Sequence, residues 1–232
     1  SETLENAHKV KTICFDKTGT LTKGELSISK IYNYSNIEEK EILRKVASIE
    51  NKSEHPIART IVKKAQEDKI KLEEIKEFKA IPGFGVEGIT QNGDKYLIGN
   101  KKLMTENNIK IDNEQDEKEL VNQGNSILFV SLNNELIALI GVKDILKENV
   151  IEVIQKLKNR NIDIVMITGD NEKTAEIIAK EIGIDKVISN VTPKEKSEQI
   201  KKLKENGLVM MCGDGINDSV SLVTADIGVS VS

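Results

Sequence analysis

An aspartate placed directly after an apolar run is the first feature of this 232-residue chain that points to chemistry. The run Val10–Phe15 has the composition of a buried strand and leads into Asp16-Lys17-Thr18-Gly19-Thr20-Leu21-Thr22. A turn of small, hydroxyl-bearing residues surrounds a carboxylate with backbone N–H groups. A carboxylate is ionised at neutral pH and can attack phosphorus without a base to activate it. Asp16 is therefore a candidate nucleophile for phosphoryl transfer, although a lone Asp-Lys pair would indicate an ordinary turn.

Three further loops combine glycine, hydroxyl and charged groups, and each follows a predicted strand. They are Thr168-Gly169-Asp170-Asn171, Val191-Thr192-Pro193-Lys194 and Gly213-Asp214-Gly215-Ile216-Asn217-Asp218. Phosphoryl transfer needs a nucleophile, carboxylates for Mg²⁺, and a hydroxyl, N–H groups and a lysine for the phosphoryl oxygens. Mg²⁺ prefers one or two carboxylates with substrate oxygens and water, so Asp16 and Asp214 are predicted to bind it with Asp218 in support. Two alternatives stay open, with Asp170 as a helix cap and Lys194 as a surface lysine.

The elements that must position these loops alternate strictly after residue 144. Predicted helices 147–159, 172–182 and 194–206 alternate with predicted strands 163–167, 186–189, 208–212 and 227–231. Strict alternation predicts a parallel sheet with right-handed crossovers. The strand before Asp16 has no such partner nearby, so we expect it to join this sheet. The carboxyl ends of parallel strands meet at one edge, so the four loops are predicted to converge there.

The intervening residues 29–141 show a different order of predicted elements. Helical spacing of apolar residues follows Asn36 and again Pro56, and two hairpins are predicted across Asn92-Gly93, as a type I′ turn, and Asn133-Asn134. The polar stretch 101–124 is predicted to be helical. The predicted fold class is therefore α/β, a doubly wound parallel sheet with an inserted α+β domain built on an antiparallel sheet. The predicted domains are 1–28 with 142–232, and 29–141.

Composition excludes some partners and compartments. A net charge of −4 argues against nucleic acid as a partner, and the 3% aromatic content argues against base-stacking platforms. Cys14 and Cys212 lie in apolar runs and are predicted to be buried, reduced thiols. The sequence contains no apolar run of about 18 residues and no signal peptide, so we expect it to be soluble. Its abrupt start at Ser1 and its end within an apolar segment at Val231-Ser232 favour a piece of a longer protein.

As a set, the four loops resemble the phosphorylation domain of P-type ATPases, which have a haloacid-dehalogenase-like fold. The resemblance lies in the Asp16 heptad, in Thr168-Gly169-Asp170, in the Gly213–Asp218 loop, and in Asp144 with Lys147 as a hinge element. It implies that Asp16 becomes phosphorylated. It implies that Thr168 and Lys194 hold the phosphoryl group and that Asp214 binds Mg²⁺ together with the Thr18 carbonyl. It also implies a metal-binding role for Asp218 and catalytic roles for four further residues of these motifs, which are Lys17, Gly169, Asp170 and Asn217.

The residue two positions after the nucleophile separates a pump from a phosphatase. Hydrolytic relatives of this fold usually carry a second aspartate there, which acts as general acid and base, whereas this chain has Thr18. ADP is a good leaving group and needs no proton donor, so the predicted product is a long-lived aspartyl phosphate. A stand-alone phosphatase of the same fold remains the alternative.

The predicted insert resembles the nucleotide-binding domain of heavy-metal-transporting P-type ATPases. The resemblance is carried by Ser53-Glu54-His55-Pro56-Ile57-Ala58, Pro82-Gly83-Phe84-Gly85-Val86 and Gly99-Asn100. It implies that the ATP site is lined by Glu50, His55, Gly83, Gly85, Gly99 and Asn100. Taken alone, His55 would indicate no more than the start of a helix. Residues 4–9 and Glu54 resemble the copper branch more than the zinc and cadmium branch, which stays open.

The resemblance implies a catalytic portion whose cofactors are ATP and Mg²⁺ and whose own activity is weak. Its partners would be the actuator and transmembrane domains of the same pump, and the transported ion would bind outside this chain. Its location would be the cytoplasmic side of an integral membrane protein. After Asp218 the chain reads Ser219-Val220-Ser221 where many relatives have Ala-Pro-Ala. This departure keeps a further alternative open, a nucleotide-binding regulatory module that catalyses nothing.

Overall fold

The structure is a computed structural model, and it describes residues 8–216 and 218–231. Contacts within the chain divide it into two compact units, one of Ser1–Glu25 with Asp144–Ser232 and one of Leu26–Lys143. The domain boundaries drawn from the sequence differ from this division by a few residues. Both dividing points fall inside strands, so no change in the sequence pattern marks them.

The strands, in chain order, are β1 (Thr12–Asp16), β2 (Thr22–Asn33), β3 (Ile75–Ile81), β4 (Gly85–Thr90), β5 (Lys95–Gly99), β6 (Ser126–Leu132), β7 (Glu135–Leu146), β8 (Asp163–Ile167), β9 (Lys186–Ile188), β10 (Val209–Gly213) and β11 (Ile227–Ser230). The helices are α1 (Glu39–Glu50), α2 (Pro56–Glu67), α3 (Lys101–Glu106), α4 (Glu114–Asn122), α5 (Val150–Lys158), α6 (Glu172–Ile182), α7 (Pro193–Lys204) and α8 (Ser219–Thr224).

The first unit is built on a parallel sheet with the strand order β11-β10-β1-β8-β9. β1 lies in its centre, with Phe15 opposite Met166 of β8 and opposite Cys212 of β10. Helices α5 and α6 pack with Ile13 on one face, and α7 packs with Cys14 on the other. The predicted doubly wound parallel sheet, joined by the strand before Asp16, is confirmed.

The second unit is an antiparallel sheet with the order β2-β7-β6-β5-β4-β3. Helices α1 and α2 cover one face, where Val46 and Ile61 pack with Ile98 and Ile140. Helices α3 and α4 contribute Met104 and Leu120 to a second core with Leu97 and Leu139. Apolar residues alternate along β5 between the two cores because neighbouring side chains of a strand point to opposite faces. The predicted α+β unit is confirmed.

The two predicted hairpins form with different turns. Asn133 and Asn134 both have left-handed φ angles, 47° and 70°, as a two-residue type I′ turn requires. At the other hairpin only Gly93 is left-handed, with φ 85°, and its N–H donates to the Thr90 carbonyl. The type I′ turn predicted at Asn92-Gly93 is therefore wrong, and a longer turn that ends on the glycine takes its place.

Two element boundaries also differ from the sequence prediction. The stretch 101–124 forms two helices, α3 and α4, because Ile109 turns into the core between them. Helix α5 begins at Val150 and not at Lys147, since β7 continues to Leu146 and Asn149 is left-handed with φ 65°. Over residues 8–216 and 218–231, none of the helices has both the length and the apolar composition to cross a membrane.

Cys14 and Cys212 are free and buried, as predicted. They sit on neighbouring strands and contribute to different cores, on opposite faces of the sheet. Burial raises the pKa of Cys212 to about 11 and raises the pKa of Cys14 further still. Both thiols therefore behave as small apolar side chains at neutral pH.

Candidate functional site

Asp16 ends β1 at the carboxyl edge of the parallel sheet and is only 5% exposed. The chain then makes one wide turn, Lys17–Leu21, which is closed by a hydrogen bond from the Thr22 N–H to the Lys17 carbonyl. Gly19 has φ 77° inside this turn, a conformation that glycine adopts without strain. The turn holds the carboxylate at the strand end, as the sequence predicted.

The positive partner of Asp16 is Lys196, two residues beyond the predicted Lys194. Its Nζ lies 2.6 Å from Asp16 Oδ1 and 3.2 Å from Asp218 Oδ1. Burial raises the pKa of Asp16 to about 6, because desolvation outweighs the hydrogen bond and the positive charge of Lys196. Burial lowers the pKa of Lys196, but the hydrogen bond and charge of Asp16, with Asp218, raise it overall. At neutral pH the site thus holds an ionised carboxylate against an ammonium group.

The structure does not bring Lys194 to Asp16. Lys194 is exposed in the first turn of α7, after a capping box in which Thr192 and Glu195 bond each other's backbone N–H groups. Lys196 lies four residues before the buried Ile200 and therefore on the same face of the helix. The helical phase of Ile200 is the sequence signal that could have identified Lys196.

Asp218 organises the loop that follows β10. It is 3% exposed, and its Oδ2 accepts the Asp214 N–H at 3.0 Å while its Oδ1 faces Lys196. Asp214 in turn accepts the Ile216 N–H through Oδ1 at 2.9 Å. A Cβ on Gly213 would lie 2.7 Å from Asp218 Oδ2, so glycine is required there. The predicted catalytic residue Asn217 lies outside the described residues.

The loop after β8 meets the Asp16 turn through an ion pair. Lys17 Nζ lies 2.6 Å from Asp170 Oδ2, and Lys17 is buried. The buried Thr168 accepts the Asp170 N–H through its hydroxyl at 3.1 Å, and Gly169 between them is exposed. Helix α6 is capped by Asn171, whose side chain accepts the Thr174 N–H. The alternative in which Asp170 only caps the helix is therefore wrong.

The donors at this edge fit Mg²⁺ in chemical type. Asp16 ends β1 and Asp214 follows the neighbouring strand β10, and Thr18 offers a carbonyl oxygen in the turn that follows Asp16. Asp218 already uses both carboxylate oxygens within the protein, so it supports the site and is a poor candidate for a ligand. Within the described part of the chain, no group of three or more His, Cys, Asp and Glu could hold a metal by itself. Substrate oxygens and water would have to complete the shell, as is usual for Mg²⁺.

The second unit contains a cavity of about 470 Å³. The six residues predicted to contact nucleotide all line it: Glu50, His55, Gly83, Gly85, Gly99 and Asn100. Phe84, Ile57 and Leu128 add apolar surface to the lining. A concave, mostly apolar site with a few convergent polar groups is typical of a small-molecule pocket.

Polar groups of the cavity are held by local hydrogen bonds. His55 precedes α2 and accepts the Ile57 N–H through Nδ1 at 3.2 Å, which leaves the proton of a neutral imidazole on Nε2. Asn100 caps α3 by accepting the Leu103 N–H, and its amide donates to the Gly83 carbonyl at 2.9 Å. Asn100 therefore joins the glycine loop to the start of α3.

Gly85 and Gly99 are required for a reason that the sequence did not indicate. They face each other across β4 and β5, and a Cβ on Gly85 would lie 2.1 Å from the Ile98 carbonyl oxygen. A Cβ on Gly99 would lie 2.1 Å from the Phe84 carbonyl oxygen. These two glycines let the two strands approach each other. The sequence prediction was that they let a ligand approach the backbone.

Glu50 places a carboxyl group in the wall of the cavity. It is the last residue of α1 and is 5% exposed. Burial raises the pKa of Glu50 to about 7, against a smaller lowering by a hydrogen bond from Ser53. A carboxyl group with such a pKa can both donate and accept near neutral pH.

Comparison with known proteins defines the class of this fold and site. Residues 10–226 match the haloacid dehalogenase-like hydrolase family. That range includes Asp16, its partner Lys196 and the whole of the second unit.

Individual relatives narrow the class. A copper-exporting P-type ATPase of Staphylococcus haemolyticus is 40% identical over 99% of this chain, and one of Staphylococcus aureus strain JH9 is 38% identical over 99%. The chain spans about 28% of the length of each. A zinc-transporting PIB-type ATPase in the E2.Pi state matches with TM-score 0.83 and 30% identity, over 96% of this chain and 36% of that one. The catalytic domain of the CPx-ATPase CopB-B matches with TM-score 0.62 and 33% identity, over 97% and 81%. The chain belongs to the haloacid dehalogenase-like hydrolases and, among them, to the heavy-metal P-type ATPases.

Proposed function

We propose that this chain binds ATP in the second unit and transfers its γ-phosphoryl group to Asp16 in the first. The observation that carries the proposal is the setting of Asp16, a buried carboxylate at a strand end, paired at 2.6 Å with Lys196 and adjacent to a turn without a second acid. Such a group can attack phosphorus, and no side chain two positions later can supply the proton that a poor leaving group needs.

In the proposed step, a carboxylate oxygen of Asp16 forms a bond to the γ-phosphorus. The bond from that phosphorus to the oxygen bridging to the β-phosphorus breaks, and ADP leaves with the electron pair. Lys196 stabilises the ionised Asp16 before transfer and is close enough to bind a phosphoryl oxygen afterwards. Thr168 and the exposed backbone of Gly169 are further proposed donors to these oxygens, and the Asp170 carboxylate positions Lys17.

Mg²⁺ would be held by Asp16, Asp214 and the Thr18 carbonyl, and when bound it would neutralise charge on the phosphate oxygens. Asp218 contributes by fixing the Asp214 backbone and Lys196 together.

In the second unit, His55 Nε2 and the Glu50 carboxyl are proposed to bind the base of ATP. Asn100 would keep the Gly83 loop in place against the ligand. All of these residues line one cavity, which supports the proposal.

The transported ion is proposed to be Cu(I), because the copper-exporting relatives are 40% and 38% identical over nearly the whole chain. The structural match to a zinc-transporting ATPase favours zinc as the second candidate. The ion would bind in the transmembrane domain of the full-length pump, whose actuator domain would be the other partner. The chain would then be a cytoplasmic part of a membrane protein. Hydrolysis by full-length pump stimulated by Cu(I) and not by Zn²⁺ would support copper, and the reverse would support zinc.

The test of the phosphorylation is acid-quench labelling with ATP carrying ³²P at the γ-position in the presence of Mg²⁺. The label is expected on the wild-type chain and on Asp163→Asn, an exposed aspartate at the start of β8, and is expected to vanish in Asp16→Asn. Persistent labelling of Asp16→Asn would refute the assignment. ATP binding without any label would favour the regulatory module, and rapid hydrolysis of small phosphate esters would favour the phosphatase.

A further inference from the structure

Asp144 does not contact Asp16, yet both of its carboxylate oxygens bond to the segment that follows the Asp16 turn. Oδ2 accepts a hydrogen bond from the Thr22 hydroxyl at 2.5 Å, and Oδ1 accepts one from the Gly24 N–H at 3.0 Å. Thr22 begins β2 and Asp144 lies near the end of β7, 122 residues later. One carboxylate therefore joins the strand that leaves the turn to the strand that returns to the first unit.

Thr22 carries this connection into the turn itself. The residue is completely buried, and its hydroxyl oxygen accepts the Gly19 N–H at 3.1 Å while it lies 3.2 Å from the Lys17 carbonyl. One residue earlier, the Leu21 carbonyl accepts the Lys147 N–H at 2.9 Å. The turn is thus held in its middle by the hydroxyl and at its end by the returning strand.

The bonds are of a kind that fixes position well. A hydroxyl that donates to a carboxylate makes a short, charge-assisted hydrogen bond, about twice as strong as a neutral one. The hydroxyl has a single proton, so its donation to Asp144 leaves its lone pairs directed at the Gly19 N–H. Loss of either partner would free the turn that directly follows Asp16 and that contains the Thr18 carbonyl, a proposed Mg²⁺ ligand.

We propose that Thr22 and Asp144 are positioning residues, which hold the Lys17–Leu21 turn so that the Asp16 carboxylate keeps its place at the strand end. The proposal rests on phosphorylation of Asp16 and goes further, since it makes the rate of that step depend on a hydroxyl and a carboxylate that never touch the substrate. A displacement of about 1 Å at a reacting group can reduce a rate about 100-fold.

The test uses the full chain with matched variants. Thr22→Val removes the hydroxyl at similar volume, Thr22→Ser keeps it, and Asp144→Asn weakens the acceptor pair. The control is Asp226→Asn, because Asp226 also bonds a backbone N–H, that of Val209, and lies in the same unit without a bond to the turn.

Phosphorylation rates are measured by rapid acid quench with ATP and with acetyl phosphate, a donor that needs no nucleotide cavity. Thr22→Val and Asp144→Asn are expected to be about 100-fold slower with both donors, at unchanged half-saturating donor concentration. Thr22→Ser and Asp226→Asn are expected to stay within about threefold of wild type.

Amide hydrogen exchange at Gly19 and Gly24 provides a readout that does not depend on the chemistry. Faster exchange at both amides in Thr22→Val and Asp144→Asn, and not in Asp226→Asn, is expected. A folded Thr22→Val chain with wild-type rates and wild-type exchange would overturn the proposal, as would an equal loss of rate in Asp226→Asn. If Thr22→Val does not fold, the comparison of Asp144→Asn with Thr22→Ser replaces it. Wild-type rates and wild-type exchange in Asp144→Asn would then overturn the proposal. A wild-type chain labelled by neither donor would refute phosphorylation itself, and the exchange data would still show whether these two residues hold the turn.

Discussion

Glu50 should make the second unit less stable as the pH rises, and its replacement by glutamine should remove that loss. The carboxyl is 5% exposed and lies in the wall of the cavity, and burial raises its pKa from 4.5 to about 7. Because the folded-state pKa is above the ordinary value, the folded chain holds the proton more tightly than the unfolded chain does. The free energy of unfolding therefore falls as the pH rises from 4.5 to about 7, and the whole loss is present above that range.

The size of the effect follows from the two pKa values. At about 1.4 kcal/mol for each pH unit, the interval between 4.5 and about 7 corresponds to about 3 kcal/mol. Glutamine has nearly the same shape and no titrating proton. The advantage of Glu50→Gln over wild type should therefore grow by about 3 kcal/mol between about pH 4 and about pH 8.

Urea unfolding followed by circular dichroism at several pH values measures this difference. The matched control is Glu54→Gln, since Glu54 is exposed and lies in the same segment. Its stability difference from wild type should change little with pH, by less than about 0.5 kcal/mol. An advantage of Glu50→Gln over wild type that does not vary with pH, or that shrinks as the pH rises, would refute the assignment of the raised pKa to burial of this carboxyl.

Two further predictions concern the charge partner of Asp16 and a glycine of the cavity. Lys196→Met should slow phosphorylation by about 100-fold or more in rapid-quench labelling, because it removes the ammonium at 2.6 Å from Asp16. Lys194→Met should change the rate little. A larger loss of rate in Lys194→Met than in Lys196→Met would favour Lys194 as the lysine that acts on Asp16. Gly85→Ala should lower the free energy of unfolding by more than about 3 kcal/mol, since the new Cβ would meet the Ile98 carbonyl oxygen at 2.1 Å. Gly93→Ala, with φ 85° and open space around it, should cost about 1 kcal/mol in the same urea titration, and equal costs would contradict the close approach at Gly85.

The sequence predicted those features that depend on periodicity. Strand and helix alternate so regularly after Asp144 that the parallel sheet and its covering helices could be inferred from the order of the predicted elements. That β1 joins this sheet followed from the same reasoning, because the sequence offers it no other parallel partner. Its central place between β10 and β8 was not predicted and comes from the structure. Convergence of the loops at the carboxyl edge then required only the rule that parallel strands end together.

Features that depend on side-chain direction were missed. Lys194 and Lys196 both suit the chemistry, and only the helical phase set by Ile200 separates them. The Lys17–Asp170 ion pair and the Thr22–Asp144 hydrogen bond join residues more than 100 positions apart, so no local pattern indicates them. The close approach of Gly85 and Gly99 is likewise a property of strand pairing, and a motif alone cannot distinguish it from the approach of a ligand.

The central position of β1 has a consequence for the way the chain folds. Both neighbours of β1 in the sheet are made only after the whole of Leu26–Lys143, so this strand leaves the ribosome on the order of ten seconds before either partner exists. The second unit has cores of its own and can fold during that interval. Once it has folded, it shortens the flexible loop that must close before β1 meets β8, and so lowers the entropic barrier to that pairing. Early compaction of the insert would thus shorten the time for which β1, an apolar strand with two unpaired edges, stays open to aggregation after β8 has been made.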